Sequence, residues 1–95
     1  MGRDVQIEHD EARGEFAAVV DGRKSFLRYA RLGDGTLDLR STFVHPDLRG
    51  RGLGEKLVRR ALDHARANDL DVIPTCWFVD TVVARHPGYR ELIRP

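Results

Sequence analysis

Glycines and arginines are interleaved in one short stretch of the chain, in the order Arg49, Gly50, Arg51, Gly52, Leu53, Gly54. Glycine has no Cβ, so the backbone at such a stretch can adopt positive φ and bring several N–H groups toward one space. A helical pattern begins at Leu53, and the unpaired amides and dipole of a helix N-terminus favour an anion. The stretch therefore predicts a site for a phosphate or a pyrophosphate.

The spacing of the glycines argues against two common phosphate-binding loops. A Walker loop ends in Gly-Lys followed by Ser or Thr, whereas Gly54 is followed by Glu55, Lys56 and Leu57, which offer no hydroxyl for magnesium. A dinucleotide-binding loop has the spacing GxGxxG, but the third glycine of that pattern would fall on Glu55. An ordinary strand-to-helix turn without a ligand remains the alternative.

The single cysteine, Cys76, directly precedes a segment with a helical pattern. A thiolate at the start of a helix is stabilised by the helix dipole, which favours a reactive cysteine; a small buried thiol that only fills space is the alternative. One cysteine also excludes an intramolecular disulfide and is typical of a reducing compartment. The four histidines have no metal-ligand spacing with Cys76, so no metal site is predicted.

Hydrophobic periodicity and turn residues predict the elements that position these residues. Strands are predicted around Val5 to Ile7, in the segment GEFAAVVDG, from Lys24 to Leu32, from Leu37 to Val44 and from Asp71 to Cys76; helices are predicted from Leu53 to Asn68 and from Trp77 to Arg85. Hairpin turns are predicted at Asp21-Gly22 and at Gly33-Asp34-Gly35, and a left-handed helix stop at Asn68.

This order of elements predicts an α+β fold in a single domain of residues 1–95. The first four strands form an antiparallel meander, a βαβ crossover then leads to a parallel fifth strand, and a short C-terminal helix follows. Because open sheets bind ligands at the carboxyl ends of parallel strands, Cys76 is expected to face the same crevice as the glycine-rich loop.

Charge and hydropathy narrow the classes of partner. The net charge is +1, with 33% charged residues of both signs. No broad basic field indicates nucleic acid. The N-terminus lacks an apolar signal region and no apolar run is long enough to span a membrane, so a cytoplasmic protein with neither a nucleic-acid nor a membrane partner is expected.

Two separated motifs together resemble a known family. The Arg49 to Gly54 loop after a strand ending in Val44 resembles the pyrophosphate loop of the GCN5-related N-acetyltransferase (GNAT) superfamily. The segment Val72-Ile73-Pro74-Thr75-Cys76, followed by Phe78-Val79 and by Arg85-His86-Pro87-Gly88-Tyr89, resembles a group of very short GNAT-like proteins. The resemblance covers nearly the whole chain and implies a truncated GNAT fold.

The resemblance also implies a cofactor, acetyl-CoA, and transfer of its acetyl group to an amine. The pyrophosphate would lie on the loop amides, with Arg49, Gly50, Arg51, Gly52, Leu53 and Gly54 as binding residues, and the pantetheine arm would lie along Phe43 and Val44. Backbone N–H groups near Val44 and His45 would stabilise the carbonyl oxygen. His45 or His86 is then a candidate base, and Cys76 a candidate acetyl acceptor or a bystander beside the thioester.

One departure from larger family members limits these expectations. They have two helices between the first two strands that shape the acceptor site, whereas this chain has only His9 to Gly14 there. An acceptor that brings its own surface, such as a macromolecular amine, is therefore expected. A non-catalytic acyl-CoA-binding module and an interaction domain with a vestigial loop remain alternatives, and the sequence names neither the acceptor nor the oligomeric state.

Overall fold

The computed structural model describes residues 5–33 and 35–94 and contains a five-stranded sheet in the order β1-β2-β3-β4-β5. The strands are β1 (Glu8–Asp10), β2 (Glu15–Val20), β3 (Arg23–Leu32), β4 (Thr36–Phe43) and β5 (Asp71–Ile73). The first four pair in antiparallel fashion, and β5 pairs in parallel with β4. The predicted α+β meander and parallel fifth strand are confirmed.

Two α-helices accompany the sheet, α1 (Leu53–Ala67) and α2 (Trp77–Arg85). Short 3-10 turns follow β4 at Pro46–Leu48 and follow α2 at Pro87–Leu92. The apolar stripe of α1 is buried against one face of the sheet, as its periodicity predicts. The residues that form this layer are Phe16, Ala18, Leu27, Leu37 and Leu39 of the strands and Leu57, Val58, Ala61, Leu62 and Ala65 of α1. Each fully buried leucine contributes about 1.5–3 kcal/mol of transfer free energy.

The turn between β2 and β3 has the backbone conformation that its sequence predicts. Asp21 has φ of 52° and Gly22 has φ of 75°, so both central residues are left-handed. Two-residue turns of this kind match the right-handed twist of the flanking strands. The second predicted turn contains Asp34, which lies outside the described residues.

Apart from one-residue shifts at the ends of β3, β4 and α1, three local features differ from the sequence-based expectation. The first strand begins at Glu8, after the alternating residues Val5 and Ile7 that predicted it. The fifth strand, expected as far as Cys76, ends at Ile73, where the missing N–H of Pro74 predicts that pairing stops. After α1 the left-handed residue is Asp69, with φ of 55°, whereas Asn68 has φ of −112°. The Asn68 side chain instead donates to the carbonyl of His64 at 2.8 Å.

The last described residues close the outer edge of β5. Ile93 forms a parallel bridge with Val72, and the Arg94 N–H donates to the Val72 carbonyl at 2.8 Å. The tail beyond α2 therefore extends the sheet.

Candidate functional site

A loop with unpaired backbone amides joins β4 to α1. Gly50 and Gly52 have φ of 81° and 75°, and a Cβ at either residue would meet no atom within 4 Å. Among the described residues, the N–H groups from Gly50 to Glu55 donate to no protein atom, and the helical ladder begins only where Lys56 N–H donates to the Gly52 carbonyl at 3.1 Å. The loop thus presents free donors beside open space, which is the environment that an oxyanion requires.

Gly54 has a different role in the same loop, because it permits a close approach between α1 and its neighbours. A Cβ at Gly54 would lie 3.1 Å from Phe78 Cε2 and 3.3 Å from Val44 Cγ2. The start of α1 is therefore seated directly on the end of β4 and the start of α2.

Among the described residues, the charged groups around the loop leave no unpaired carboxylate that would repel an anion bound there. Arg49 Nε donates to the Val44 carbonyl at 3.2 Å, which ties the loop back to the end of β4. Glu55 accepts a hydrogen bond from Arg85 at 3.0 Å and lies 3.4 Å from His86 Nε2. The hydrogen bond from Arg85 is the main reason why the pKa of Glu55 lies below its ordinary value. The one carboxylate of the first helical turn is thus neutralised by its neighbours.

A groove of about 500 Å³ runs from this loop to Cys76. Its walls come from the end of β4, the loop, the first turn of α1 and the region from Cys76 to Phe78, with Arg85 at its edge. Cys76 is the N-cap of α2 and is partly exposed, and its Sγ lies 3.6 Å from Thr42 Oγ1. The groove therefore has free amides at one end and a thiol beside a hydroxyl at the other.

The groove exists because β4 and β5 separate after a short stretch of pairing. They are in register only from Thr36↔Asp71 to Asp38↔Ile73, and farther along the Cys76 N–H still donates to the Leu39 carbonyl at 2.8 Å. Beyond that bond the strands diverge and leave a gap between their carboxyl ends. The sequence predicts that Cys76 and the loop share this edge, and the structure places both there.

A β-bulge decides which side chains of β4 face the groove. The register with β3 shifts between Arg28 and Tyr29, so that Arg40 is the extra residue on β4. Beyond the bulge Thr42 lies on the helix side beside Cys76, while Phe43 pairs with Phe26 on the opposite face, at 5.3 Å between ring centroids. The groove lining includes Val44 and Thr42 but not Phe43. Thr42 was not selected from the sequence, since nothing in the residue pattern marks the bulge.

The candidate bases His45 and His86, and Tyr89 of the C-terminal motif, are not among the residues that line the groove. The His45 N–H donates to Ser25 Oγ at 2.9 Å, and His45 Nδ1 accepts from the Asp47 N–H at 3.1 Å. His86 is a neighbour of Glu55, near the Arg85 edge. Tyr89 is buried and donates to Asp63 at 2.7 Å, so it packs against α1. No cluster of three or more metal-ligating side chains occurs in residues 5–33 and 35–94.

Comparison with known proteins assigns this arrangement to a family. A family model described as GCN5-related N-acetyl-transferase matches residues 15–92, which include the whole of the groove. The chain belongs to this N-acetyltransferase family.

Similar proteins of about the same length support the GCN5-related assignment. The chain is 33% identical to Protein NATD1 of Xenopus tropicalis, over 96% of this chain and 87% of that protein. It is 34% identical to Protein NATD1 of Gallus gallus, over 100% and 90% respectively. A GCN5-like protein from Staphylococcus aureus, solved by NMR, has the same fold with a TM-score of 0.73 and 24% identity, over 95% of this chain and 88% of that one.

The described part of this GCN5-related chain contains no helix that is both long and apolar enough to cross a membrane. The fold is the family's sheet with a short β1 to β2 connection, residues 11–14, which form a turn.

Proposed function

We propose that this protein binds acetyl-CoA in the groove and transfers the acetyl group to a primary amine on a macromolecular acceptor. The observation that carries the proposal is the pairing, in one groove, of free amides from Gly50 to Glu55 with the Thr42–Cys76 pair at the other end. Family membership supports acetyl-CoA as the donor, since the family description is an N-acetyltransferase.

The lining of the groove matches the parts of acetyl-CoA along its length, with hydrogen-bond donors at the loop and apolar side chains toward Cys76. The pyrophosphate accepts hydrogen bonds from the loop amides, where Arg49 and Arg51 add positive charge. The pantetheine arm lies along Val44 and Phe78, and the thioester reaches the space between Thr42 and Cys76. The predicted contact with Phe43 is absent from this arrangement, because the bulge turns that ring to the other face of the sheet.

The reaction requires the amine to attack as its free base. Its nitrogen forms a bond to the thioester carbon, negative charge develops on the carbonyl oxygen, and the C–S bond then breaks to release CoA thiolate, which takes up the proton that the nitrogen loses. The Val44 N–H donates to no atom among the described residues and is the amide proposed to bind the oxyanion, since the His45 N–H is occupied by Ser25 Oγ. Cys76 either accepts the acetyl group first or remains beside it.

The acceptor is proposed to be large, because the sheet offers little to enclose a small one. The β1 to β2 connection is a turn of residues 11–14, and the side chain beside Cys76, Trp77, is 75% exposed. An amine carried on a macromolecule would bring the surface that this fold lacks. A non-catalytic acyl-CoA-binding module would use the same groove without releasing CoA.

Calorimetric titration with acetyl-CoA tests the proposal, with Gly52→Asn as the variant and Gly22→Asn as its matched control. Both glycines have φ of 75° and no atom within 4 Å of an added Cβ. Asparagine tolerates this conformation, so neither substitution should disrupt the fold. We expect Gly22→Asn to bind as the unmodified protein does, and Gly52→Asn to bind about tenfold more weakly or worse, because its side chain enters the anion site.

Equal affinity of the two variants for acetyl-CoA would show that the loop is not part of the binding site. Binding without CoA release in the presence of protein extracts would favour the binding module over the transferase.

A further inference from the structure

Trp77 is a large apolar side chain that the fold leaves in solvent at the rim of the groove. It is 75% exposed, more than Val19, Leu32 and Phe43, the other exposed large apolar side chains of the described chain. Of these four it is the one that lines the groove, and it directly follows Cys76. A single exposed apolar side chain is ordinary. The surroundings of Trp77 are what distinguish it.

The indole ring of Trp77 is supported on one side by a neighbouring ring. It meets the Phe78 ring edge-on, at 5.7 Å between centroids, and Phe78 packs against the core. An aromatic pair of this geometry contributes about 0.5–1.5 kcal/mol beyond its burial. The exposed indole is therefore partly oriented before a partner arrives, which lowers the entropic cost of binding one.

A carboxylate without a partner lies beside the indole on the same helix. Asp80 follows Trp77 by three residues in α2, and side chains at that spacing are neighbours on a helix surface. Asp80 is exposed and forms neither an ion pair nor a side-chain hydrogen bond with another described residue. Arg85, the basic residue in the last turn of α2, donates to Glu55 of α1 instead. Asp80 stabilises the start of α2 through the helix dipole, and its charge is also open to an external cation.

An aromatic face beside a carboxylate suits an organic cation. The face of an indole attracts an ammonium or guanidinium group within about 6 Å of the ring centroid, and the carboxylate adds a charge-assisted hydrogen bond. This cation is not the reacting amine, because the two contacts favour the charged form of an amine whereas attack on the thioester requires the free base. A second cation on the acceptor, next to the reacting amine, satisfies both requirements.

We propose that Trp77 and Asp80 form a docking site for a basic side chain that neighbours the reacting amine on a polypeptide acceptor. The inference rests on the proposed function and specifies its acceptor as a protein segment with arginine or lysine beside the acetylated amine. Arginine fits best, since its flat guanidinium stacks on the indole while its N–H groups donate to the carboxylate. The anionic donor and the cationic acceptor are thereby directed to different ends of the groove, the donor to Arg49 and Arg51 and the acceptor to Asp80.

Two peptides that differ only in charge test this docking site. Each has a blocked N-terminus and a single lysine as the acceptor amine, flanked by arginines in one peptide and by citrullines, their neutral isosteres, in the other. Release of CoA gives kcat/KM for each peptide, and the ratio within one variant cancels any change in acetyl-CoA binding. We expect the unmodified protein to favour the arginine peptide about tenfold, mainly through KM. Trp77→Leu should lose the preference and Trp77→Phe should keep part of it.

The carboxylate is tested by Asp80→Asn, with Asp69→Asn as its matched control. Asp69 precedes β5 whereas α2 follows it, so the control removes the same charge at the other end of that strand. Asp69 has φ of 55°, which asparagine tolerates. After thermal melts confirm that both variants fold, we expect the preference to fall to about twofold in Asp80→Asn and to be unchanged in Asp69→Asn. An equal fall in both variants would reduce the effect to net charge and overturn the site.

A second measurement reports on the docking site without turnover. Trp77 is the single tryptophan of the sequence, so the tryptophan emission of the protein comes from this site alone. With CoA present and the two peptides at equal concentration, we expect the arginine peptide to protect Trp77 from quenching by acrylamide, a neutral quencher, and the citrulline peptide to protect it much less.

The outcomes separate this inference from the proposed function. Equal kcat/KM for the two peptides, a preference that survives Trp77→Leu, or equal quenching with both peptides would each overturn the docking site and leave acetyl transfer intact. Failure to transfer to any peptide would count against the transferase, and the acrylamide measurement would then decide the docking site by itself.

Discussion

The Cys76 thiol is the most informative single residue of the groove, because it packs against the core and also lines the groove. It caps α2, is partly exposed, and has the Thr42 hydroxyl 3.6 Å away. A thiol in this position is open to reagents from the groove side. Its behaviour toward them reports on what occupies the groove.

We expect iodoacetamide to alkylate Cys76 in the empty protein and to do so at least about tenfold more slowly when acetyl-CoA is saturating, because the thioester would cover the thiol. Intact-protein mass spectrometry measures both rates, with Cys76→Ala as the blank. The same spectra report whether an acetyl-cysteine accumulates without an acceptor, as covalent transfer requires and a bystander thiol does not. Identical rates with and without acetyl-CoA would contradict the placement of the thioester.

A second residue-scale feature lies outside the groove, where two histidines meet between β1 and α1. The His9 ring stacks on Phe16 at 4.0 Å and meets the His64 ring edge-on at 4.5 Å. His9 Nε2 is hydrogen-bonded to the Tyr29 hydroxyl. Burial is the main cause that lowers the pKa of both histidines below 6.5; the charge of Arg60 also lowers both, His64 lowers that of His9, and nearby Glu11 opposes these effects.

These lowered pKa values predict that acid weakens the fold. The unfolded chain takes up protons near the ordinary histidine pKa, whereas the folded pair resists them, so stability is retained above about pH 6.5 and is lost progressively as the pH falls from there to the lower folded values. Urea unfolding between about pH 7.5 and about pH 5.5 measures this, a window above the range in which Glu55 titrates. His64→Gln should flatten the dependence. A free energy of unfolding that rises toward pH 5.5 would contradict the prediction.

At the scale of the elements, the contact that seats α1 is the tight fit of Gly54 beneath Phe78 and Val44. Alanine has the higher helix propensity, by about 1 kcal/mol, but its Cβ would stand 3.1 Å from a ring atom of Phe78. Phe78 is partly buried and packs against the core. The close contact of the added Cβ with Phe78 therefore opposes the gain in helix propensity.

We expect Gly54→Ala to lower the free energy of unfolding by about 1–2 kcal/mol, since overpacking outweighs the gain in propensity. Chemical denaturation of the single variant and of Gly54→Ala combined with Phe78→Leu tests this. The double variant should recover part of the loss, because the shorter side chain leaves room for the new Cβ. If Gly54→Ala alone were more stable than the unmodified protein, Phe78 and Val44 would have moved aside without a cost in packing, and the prediction would be wrong.

How far the sequence predicts these elements depends on whether local residues determine them. The start of α1 at Leu53 and the limits of α2 at Trp77 and Arg85 are set by local periodicity and by the adjacent glycine and proline residues, and the predictions agree with the structure. The bulge at Arg40 and the divergence of β4 from β5 depend on pairing between distant segments. Thr42 was missed, and Phe43 expected in the groove, for that reason.

At the scale of the whole molecule, positive and negative charges nearly cancel, but they are unevenly distributed over the surface. The net charge is +1, yet one side of α1 and its loop carries four cations beside a single lining carboxylate, Asp63; the cations are Arg51, Lys56, Arg59 and Arg60. The opposite face of the sheet carries Lys24 and Arg28 over the buried Glu15. The side along α1 combines cations with cavities, and the neighbouring groove adds Arg49 and Arg85, so phosphate groups are proposed to bind on this side of the sheet.

The same view of the molecule predicts its choice of acceptor. Because residues 11–14 form only a turn between β1 and β2, the proposed transferase has little with which to enclose a small amine, and we expect free amines such as spermidine to be acetylated at least about a hundredfold less efficiently than a protein or peptide amine. Release of free thiol from acetyl-CoA measures both reactions, and a heat-denatured sample of the protein gives the background. Rapid turnover of spermidine by the isolated protein would contradict a macromolecular acceptor.

The bridge between Ile93 and Val72 has a consequence for a chain that refolds. All of α2 lies between these two residues, so β5 can pair with β4 before the tail covers its outer edge. An uncovered strand edge is a template for pairing with another chain. A refolding chain is therefore open to association along β5 until Ile93 and Arg94 dock, and their docking ends the exposure.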